Sequence, residues 1–219
     1  MARPLLIRNV EFPYHVRARS NNREWFYLPT EIVWRISLEV LGIVIDRYGL
    51  SVHLFVLMSN HFHLICSTPK SNLGECMNYF MRETSKAIGR ESGRINRIFG
   101  ARYGWSLIEN SYYYSHAYKY VARNPVVAGM VQRTEEYRFS TIPADLDICP
   151  IAIPLSGHLF GRSIPSDLEA RLDWLNTPYP KQCAEVVRKG LRRSRFRFTT
   201  SKALYKQVRA LEWHGFPQK

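Results

Sequence analysis

Two histidines separated by one residue, His61 and His63, are the side chains whose spacing most directly suggests chemistry. They lie in an apolar run that predicts a β-hairpin over residues 50–67. Because side chains alternate between the faces of a strand, both imidazoles point to one face while Phe62 and Leu64 point to the other. Paired imidazoles on one sheet face are candidate ligands for a divalent metal ion. The alternative is polar side chains that simply alternate outward on a half-buried strand.

A segment about sixty residues further on supplies the second chemical group, since residues 112–124 have the pattern of a helix that a proline ends. Five tyrosines fall in this segment, and helix phase separates them. Tyr120 shares a face with Asn124, whereas Tyr118 is rotated by about 200° from Tyr120. The phenol of Tyr120 is therefore the candidate nucleophile. The amide oxygen of Asn124 is the candidate third metal ligand.

Two imidazole nitrogens and one hard oxygen predict Mg²⁺ or Mn²⁺ rather than a closed zinc site. Such an ion would bind a phosphate oxygen and align the phosphorus for attack. A phenol with an ordinary pKa of about 10 needs that ion or a nearby base to act as a nucleophile. Attack on a DNA phosphodiester would leave a 5′-phosphotyrosine link and a free 3′-hydroxyl, which conserves the bond energy for rejoining.

The charge of the chain favours nucleic acid as the partner. The 219 residues include 31 Lys and Arg against 18 Asp and Glu, a net charge of +13. Guanidinium groups suit phosphate, so DNA is the leading partner class, ahead of an anionic membrane. The alternative for residues 20–23 is a solvated polar turn, and the alternative for the C-terminal basic run is a solvated helix end. The candidate DNA-binding residues are Arg17, Arg19, Asn21, Asn22, Arg23, Arg102, Tyr103, Arg192, Arg193, Arg195 and Arg197.

Periodicity and turn residues predict the elements that would position these groups. Their order is β-α-β-β-α-β-α, the split βαβ or ferredoxin-like arrangement of the α+β class. We expect an antiparallel sheet with helices on one face and the two histidines on the other, exposed face. The elements are a strand ending near residue 19, a helix over 30–48, the hairpin, a helix over 72–92, a strand over 105–109 and the helix over 112–124.

The composition changes after residue 138, which predicts a catalytic domain over 1–138 and a basic, mostly helical C-terminal extension over 139–219. Residues 140–166 contain four prolines and predict a linker or an irregular subdomain. Further helices are expected over 166–175, from residue 180 to the basic run, and over 201–213.

Four widely spaced cysteines without a metal-binding spacing predict reduced thiols in a cytoplasmic protein. No segment reaches the roughly 18 uncharged apolar residues that a membrane-spanning helix needs. We expect a nucleoid-associated protein without a membrane partner, and a homodimer is left open.

The two chemical segments resemble the HUH single-tyrosine transposases. More narrowly they resemble the REP-associated tyrosine transposases, relatives of the insertion-sequence family that moves as single-stranded DNA. The resemblance rests on His61-Phe62-His63 within Leu-Met-Ser-Asn-His-Phe-His-Leu-Ile, and on Tyr120-Val-Ala-Arg-Asn124 followed by Pro-Val-Val-Ala-Gly. Tyr14-His-Val, Asn21-Asn22-Arg23 and Phe99-Gly-Ala-Arg-Tyr103 support it. It covers about residues 1–135.

That resemblance implies a ferredoxin-like domain that cleaves single-stranded DNA beside a hairpin and depends on Mg²⁺ or Mn²⁺. For the narrower family it implies recognition of repetitive extragenic palindromes and of a short guide sequence at the hairpin foot. It carries over His61 and His63 as metal ligands, Asn124 as the third ligand and Tyr120 as the nucleophile.

Three positions depart from the family pattern, since Ser20, Ser59 and Val127 stand where the family commonly has glycine, proline and arginine. These positions concern loop shape and DNA contacts rather than the four chemical residues. Two other functions compete with a strand-transfer enzyme. One is a domesticated protein that binds DNA hairpins without turnover, and the other is a replication or conjugation nickase of the HUH class.

Overall fold

The computed structural model describes residues 5–95, 97–158, 160 and 164–198. Within these residues a four-stranded antiparallel sheet has the order β2-β3-β1-β4. Short 3₁₀ turns follow β1 and precede α5. The elements in chain order are β1 (Tyr14–Arg19), α1 (Thr30–Tyr48), β2 (Ser51–Leu57), β3 (His61–Ser67), α2 (Leu73–Ser92), β4 (Gly104–Leu107), α3 (Ser111–Ala122), α4 (Asn124–Val127), α5 (Ile142–Asp145), α6 (Leu168–Asn176) and α7 (Lys181–Gly190).

The predicted α+β class and the predicted element order are confirmed. The helix expected over 112–124 is in fact two helices, because α3 ends at Ala122 and α4 begins again with Pro125 in its first turn. Asn110 caps α3 by accepting a hydrogen bond from the Tyr113 N–H at 2.9 Å. The helix predicted over 201–213 lies outside the described residues. No helix in the described ranges is long and apolar enough to span a bilayer.

One face of the sheet packs against α1 and α2. Alternate residues of β3 (Phe62, Leu64 and Cys66) are buried on this face together with Tyr14 and Val16 of β1. Apolar residues at helical spacing on α1 and α2 close the layer. This is the helix-covered face of the sheet that the sequence predicts.

The other face of the sheet is not exposed along its whole length, so that part of the expectation is wrong. Leu54, Val56 and Ile65 point to this face and are fully buried in a second apolar cluster with α3, α6 and α7. The reason is the continuous apolar run of β2, which presents large side chains on both faces and needs cover on both. Among the described residues, the end of this face that carries the histidines lines an open cavity.

Residues after 138 complete the sheet at both edges. The Leu57 N–H donates to the Phe139 carbonyl at 2.9 Å, which covers the edge of β2. On the opposite edge, β4 pairs in parallel with residues 194–196, where the Phe196 N–H donates to the Leu107 carbonyl at 2.8 Å. Such pairing satisfies the backbone groups that an edge strand leaves open. A boundary at 138 stays a prediction, and chain on both sides of it contributes to one apolar cluster.

Candidate active site

A cavity of about 880 Å³ opens on the histidine face, where β3 begins and α3 ends. Its walls come from β1, β3, β4 and α3, from the loops at residues 20–23 and 100–103, and from the C-terminal end of α7 and the residues after it. Six arginines line the cavity, whereas no aspartate or glutamate of the described residues does. This imbalance suits an anionic ligand. The six are Arg17, Arg19, Arg23, Arg102, Arg188 and Arg192.

His61 is the first residue of β3, and its ring is oriented by the preceding residue. The Asn60 amide nitrogen donates to the Arg23 carbonyl at 2.7 Å, which fixes the amide and directs its oxygen to Nδ1 of His61, also at 2.7 Å. Because an amide oxygen only accepts, His61 carries its proton on Nδ1 and keeps the Nε2 lone pair free. Burial, and secondly the charge of Arg19, lowers the pKa of His61 to about 4. The ring is therefore neutral at pH 7.

His63 is 5% exposed and contacts His15, a residue that the sequence pattern did not single out. The two rings stack with centroids 5.1 Å apart, and Nε2 of His15 lies 2.8 Å from Nδ1 of His63. Burial lowers the pKa of both rings, to about 3 for His15, so one neutral ring donates to the other. When His63 donates from Nδ1, its Nε2 is free to bind a metal ion. The signal for His15 was its alternation with Arg17 on β1, but only the strand register brings it to His63.

Tyr120 lies in the cavity, and its ring centroid is 6.1 Å from that of His63. Tyr118, two residues earlier on α3, is fully buried on the other side of the helix and donates to Asp145 at 2.5 Å. Tyr114 is also fully buried and contacts His158. The structure therefore places the tyrosines as helix phase predicts. Of these three, only Tyr120 can meet a ligand in the cavity.

The ionisation of Tyr120 reflects two opposing effects. Burial raises the pKa of its phenol, and the guanidinium groups of Arg188, Arg17 and Arg192 counteract part of that increase. Positive charge around a buried hydroxyl stabilises the phenolate that a nucleophilic attack requires. Because of these guanidinium groups, the pKa of Tyr120 is raised less than burial alone would raise it, which favours attack by the phenol.

Asn124 also lines the cavity, one turn after Tyr120. Its amide nitrogen donates to the Tyr120 carbonyl at 2.8 Å, across the break between α3 and α4. This bond fixes the side chain and leaves the amide oxygen as the atom that can accept or ligate. His116, which shares the helix face in an ideal helix, instead lies at the interface with Tyr179, where Nδ1 is 3.0 Å from the phenol oxygen.

Comparison with known proteins assigns this arrangement to a family. Residues 10–124, more than half of the chain, match the family model described as IS200-like transposases. The chain belongs to the IS200-like transposase family. A solved structure described as a REP-associated tyrosine transposase bound to a REP hairpin has a similar fold, with a TM-score of 0.56 at 20% identity over 73% of this chain and 93% of that chain. A search of curated proteins finds no significant match.

The basic residues of this transposase fall into two groups. The candidates at the end of β1, in the turn after it and in the loop before β4 line the cavity, and so does Arg192. Arg195 and Arg197 instead form ion pairs with Glu109, the latter at 2.7 Å, and Arg193 lies exposed outside the cavity lining. Arg188 lines the cavity but was missed. Its spacing of four residues from Arg192 on a basic helix was the available signal.

The donor set of the transposase fits a divalent cation that has open positions. No group of three His, Cys, Asp or Glu that could hold a metal ion occurs in the described part of the chain. The candidate donors are instead the Nε2 atoms of His61 and His63, whose ring centroids are 5.2 Å apart, and the amide oxygen of Asn124. Because both imidazoles are neutral, their lone pairs are available. Three neutral donors leave coordination positions for water and phosphate oxygen, as Mg²⁺ prefers.

Proposed function

We propose that this transposase cleaves and rejoins single-stranded DNA at hairpin sequences through a covalent link to Tyr120. The observation that carries the proposal is one phenol, two neutral imidazoles and one amide oxygen in a single cavity, where the charged side chains among the described lining residues are all arginines. Phosphodiesters are the anionic groups that such a lining suits, and the phenol supplies a nucleophile that can hold a DNA end.

In the proposed reaction the Tyr120 oxygen attacks the phosphorus of a phosphodiester. A bond forms between the phenol oxygen and phosphorus while the bond to the 3′-oxygen breaks, and the phenol proton passes on balance to that 3′-oxygen. The products are a 5′-phosphotyrosine and a free 3′-hydroxyl. Attack of another 3′-hydroxyl on the phosphotyrosine reverses the same bond changes and joins two DNA ends.

The same proposal includes Mg²⁺ or Mn²⁺ held by His61, His63 and Asn124. A bound cation would polarise the phosphate and neutralise the charge that develops on it. His15 and Asn60 act on the ligands rather than on the DNA, since each hydrogen bonds to a ring nitrogen of one ligand and orients it.

The DNA target proposed is a REP-like palindrome, because the similar solved transposase is described as bound to a REP hairpin. The turn after β1 supports contact with DNA near the reacting phosphate. Asn22 and Arg23 have positive φ there, and the loop at Gly100 is so close that an added Cβ would be 3.1 Å from the Asn21 Cα. This packing holds the polar side chains of the turn at the mouth of the cavity.

Covalent trapping tests the proposal. The protein is incubated with Mn²⁺ and a single-stranded hairpin oligonucleotide taken from palindromic repeats that flank the gene, and adducts are resolved on a denaturing gel. We expect an adduct through the 5′-phosphate that maps to Tyr120, and none from Tyr120→Phe, which keeps the ring and loses only the hydroxyl. Tyr118→Phe is the matched control, because it removes a hydroxyl from the same helix on its buried side.

An adduct on Tyr118, or one that survives in Tyr120→Phe, contradicts the choice of nucleophile. Tight binding of the hairpin by wild type without any adduct would instead indicate the domesticated, hairpin-binding function. A competent control transposase assayed on its own hairpin in the same buffer establishes that the conditions support cleavage.

A further inference from the structure

Helix α7, which belongs to the predicted C-terminal extension, forms one wall of the cavity. Val187 and Leu191 anchor it, since both are buried in the cluster that includes the apolar side of α3. Gly190 permits a close approach of the following chain, because an added Cβ would lie 2.7 Å from the Phe196 ring and 2.9 Å from the Arg197 carbonyl. The end of α7 is thus tightly positioned.

This anchoring brings Arg188 of α7, and Arg192 two residues after its end, to the candidate nucleophile. Arg188 and Arg192 are four residues apart and both line the cavity beside Tyr120. Both also act electrostatically on the Tyr120 phenol. The cavity that contains the candidate nucleophile is therefore lined both by residues before 138 and by residues of the predicted extension.

A third guanidinium, that of Arg17, lies between the sheet and α7. Arg17 is on β1, where it pairs with His63 on one side and Gly104 on the other. It donates to the Leu191 carbonyl at 2.6 Å. Gly104 leaves room for it, because a Cβ there would lie 3.2 Å from the guanidinium carbon. Arg17 is thus held in place by a backbone acceptor directly after α7 rather than by a carboxylate.

Two of these three arginines lack a carboxylate partner among the described residues. Arg188 binds Glu185 through two hydrogen bonds of 2.5 and 2.6 Å. In the described chain neither Arg17 nor Arg192 has an ion pair. Burial lowers the pKa of Arg17, and the neighbouring Arg192 lowers it further, so the two like charges repel each other. The guanidinium groups of Arg17 and Arg192, which have no carboxylate partner, are stabilised when an anion enters between them.

We propose that Arg17, Arg188 and Arg192 form a phosphate-binding site that holds a DNA phosphodiester beside the Tyr120 hydroxyl. The inference rests on the proposed function for the identity of the ligand. Guanidinium forks donate to the two non-bridging oxygens and fix the phosphorus relative to the phenol. Residues beyond 138 are then part of the active site, and α7 is required for cleavage.

Salt-dependent DNA binding tests the phosphate site without requiring cleavage. Fluorescein-labelled dT20 is titrated with wild type, with Arg192→Gln and with Arg188→Gln/Arg192→Gln at several salt concentrations. The matched control is Arg82→Gln/Arg90→Gln, which removes the same charge from exposed positions on α2, away from the cavity. We expect the slope of log affinity against log salt to become shallower by about 0.7 for each phosphate that the variant no longer neutralises, and to remain unchanged in the control.

Adduct formation under single-turnover conditions provides the second readout. Arg192→Gln should slow the adduct by about 100-fold, as removal of one group that stabilises transition-state charge does. Its melting temperature should be no lower than that of wild type, because the Arg192 side chain forms no ion pair in the described chain and repels Arg17. Arg192→Lys should restore the salt slope and only part of the rate, since an ammonium lacks the fork. The Arg82→Gln/Arg90→Gln control, which lies outside the cavity, should react as wild type does.

A salt slope and an adduct rate in Arg192→Gln and in the double variant that both equal those of the controls would overturn the phosphate site. That outcome leaves the proposed function standing if wild type still forms the Tyr120 adduct. Absence of any adduct from wild type refutes the proposed function, and the salt slopes then decide the phosphate site independently.

Discussion

The two faces of strand β3 differ in chemistry although both are buried. Phe62, Leu64 and Cys66 pack among the apolar side chains of α1 and α2. His63, on the other face, is 5% exposed and contacts the rings of His15, His61 and Tyr120. On the first face burial is favourable by itself, because each side chain leaves water for an apolar layer. On the second face burial disfavours the protonated ring and lowers its pKa. Polar side chains kept at such a cost indicate a functional site rather than a core.

The strongest test of this comparison substitutes, one at a time, two adjacent residues of β3 that point to opposite faces. Phe62→Ala should lower the free energy of unfolding by about 3–5 kcal/mol, as for other buried Phe side chains. Cleavage per folded molecule should be largely retained. His63→Ala should instead reduce adduct formation at least about 100-fold, while hairpin binding persists because affinity rests mainly on phosphate contacts. Denaturant unfolding and the adduct assay, run on both variants, check the pair. Equal cleavage by wild type and His63→Ala in metal-buffered solution contradicts the metal site.

Acid should destabilise the folded protein through His61. The pKa of His61 is about 4 in the folded protein, against an ordinary 6.5, so between these values the unfolded state binds more protons. The contribution of this ring to the free energy of unfolding is therefore fully present above pH 6.5. It decreases as the pH falls towards 4, by up to about 1.4 kcal/mol per pH unit. Urea unfolding in EDTA across that window measures the slope. His61→Gln should show a shallower slope than wild type, and an identical slope would mean that His61 titrates normally.

His15 should affect metal binding without contacting the metal. His15→Phe keeps a ring against His63 but cannot accept its Nδ1 proton, so Mn²⁺ affinity should fall about 10- to 100-fold, as with other residues that orient metal ligands. His15→Gln retains an acceptor and should fall less. Electron paramagnetic resonance of free Mn²⁺ during a titration measures both. Equal affinities for the two variants would indicate that His15 only fills space.

The smallest effect is expected outside the cavity, at the other part of the basic run. Arg195 and Arg197 pair with Glu109 at the surface, where exposed ion pairs contribute about 0–1 kcal/mol. Arg195→Gln/Arg197→Gln should therefore change unfolding by less than about 1 kcal/mol. The salt slope of dT20 binding should change less than in Arg192→Gln. A larger change in slope than that of Arg192→Gln would show that this run, rather than the cavity, carries the main DNA contact.

Much of the four-stranded sheet and of the two helices that cover it was predictable from local patterns. The α1 and α2 bounds follow from apolar periodicity and from Gly49 and Gly93, which end the two helices with positive φ. The spacing of His61 and His63 and of Tyr120 and Asn124 requires only strand alternation and helix phase. Residues that share one element could therefore be assigned to one face before any fold was known.

The tertiary structure decided which faces meet. His15 and His63 are 48 residues apart in the chain, and only the antiparallel register of β1 and β3 brings Nε2 of His15 to 2.8 Å from Nδ1 of His63. Arg188 reaches Tyr120 because α7 packs on α3, and the apolar residues that direct this packing do not specify their partner. Periodicity identifies the buried side of an element, since it depends on near neighbours. The choice of what covers that side depends on long-range packing, which no local pattern contains.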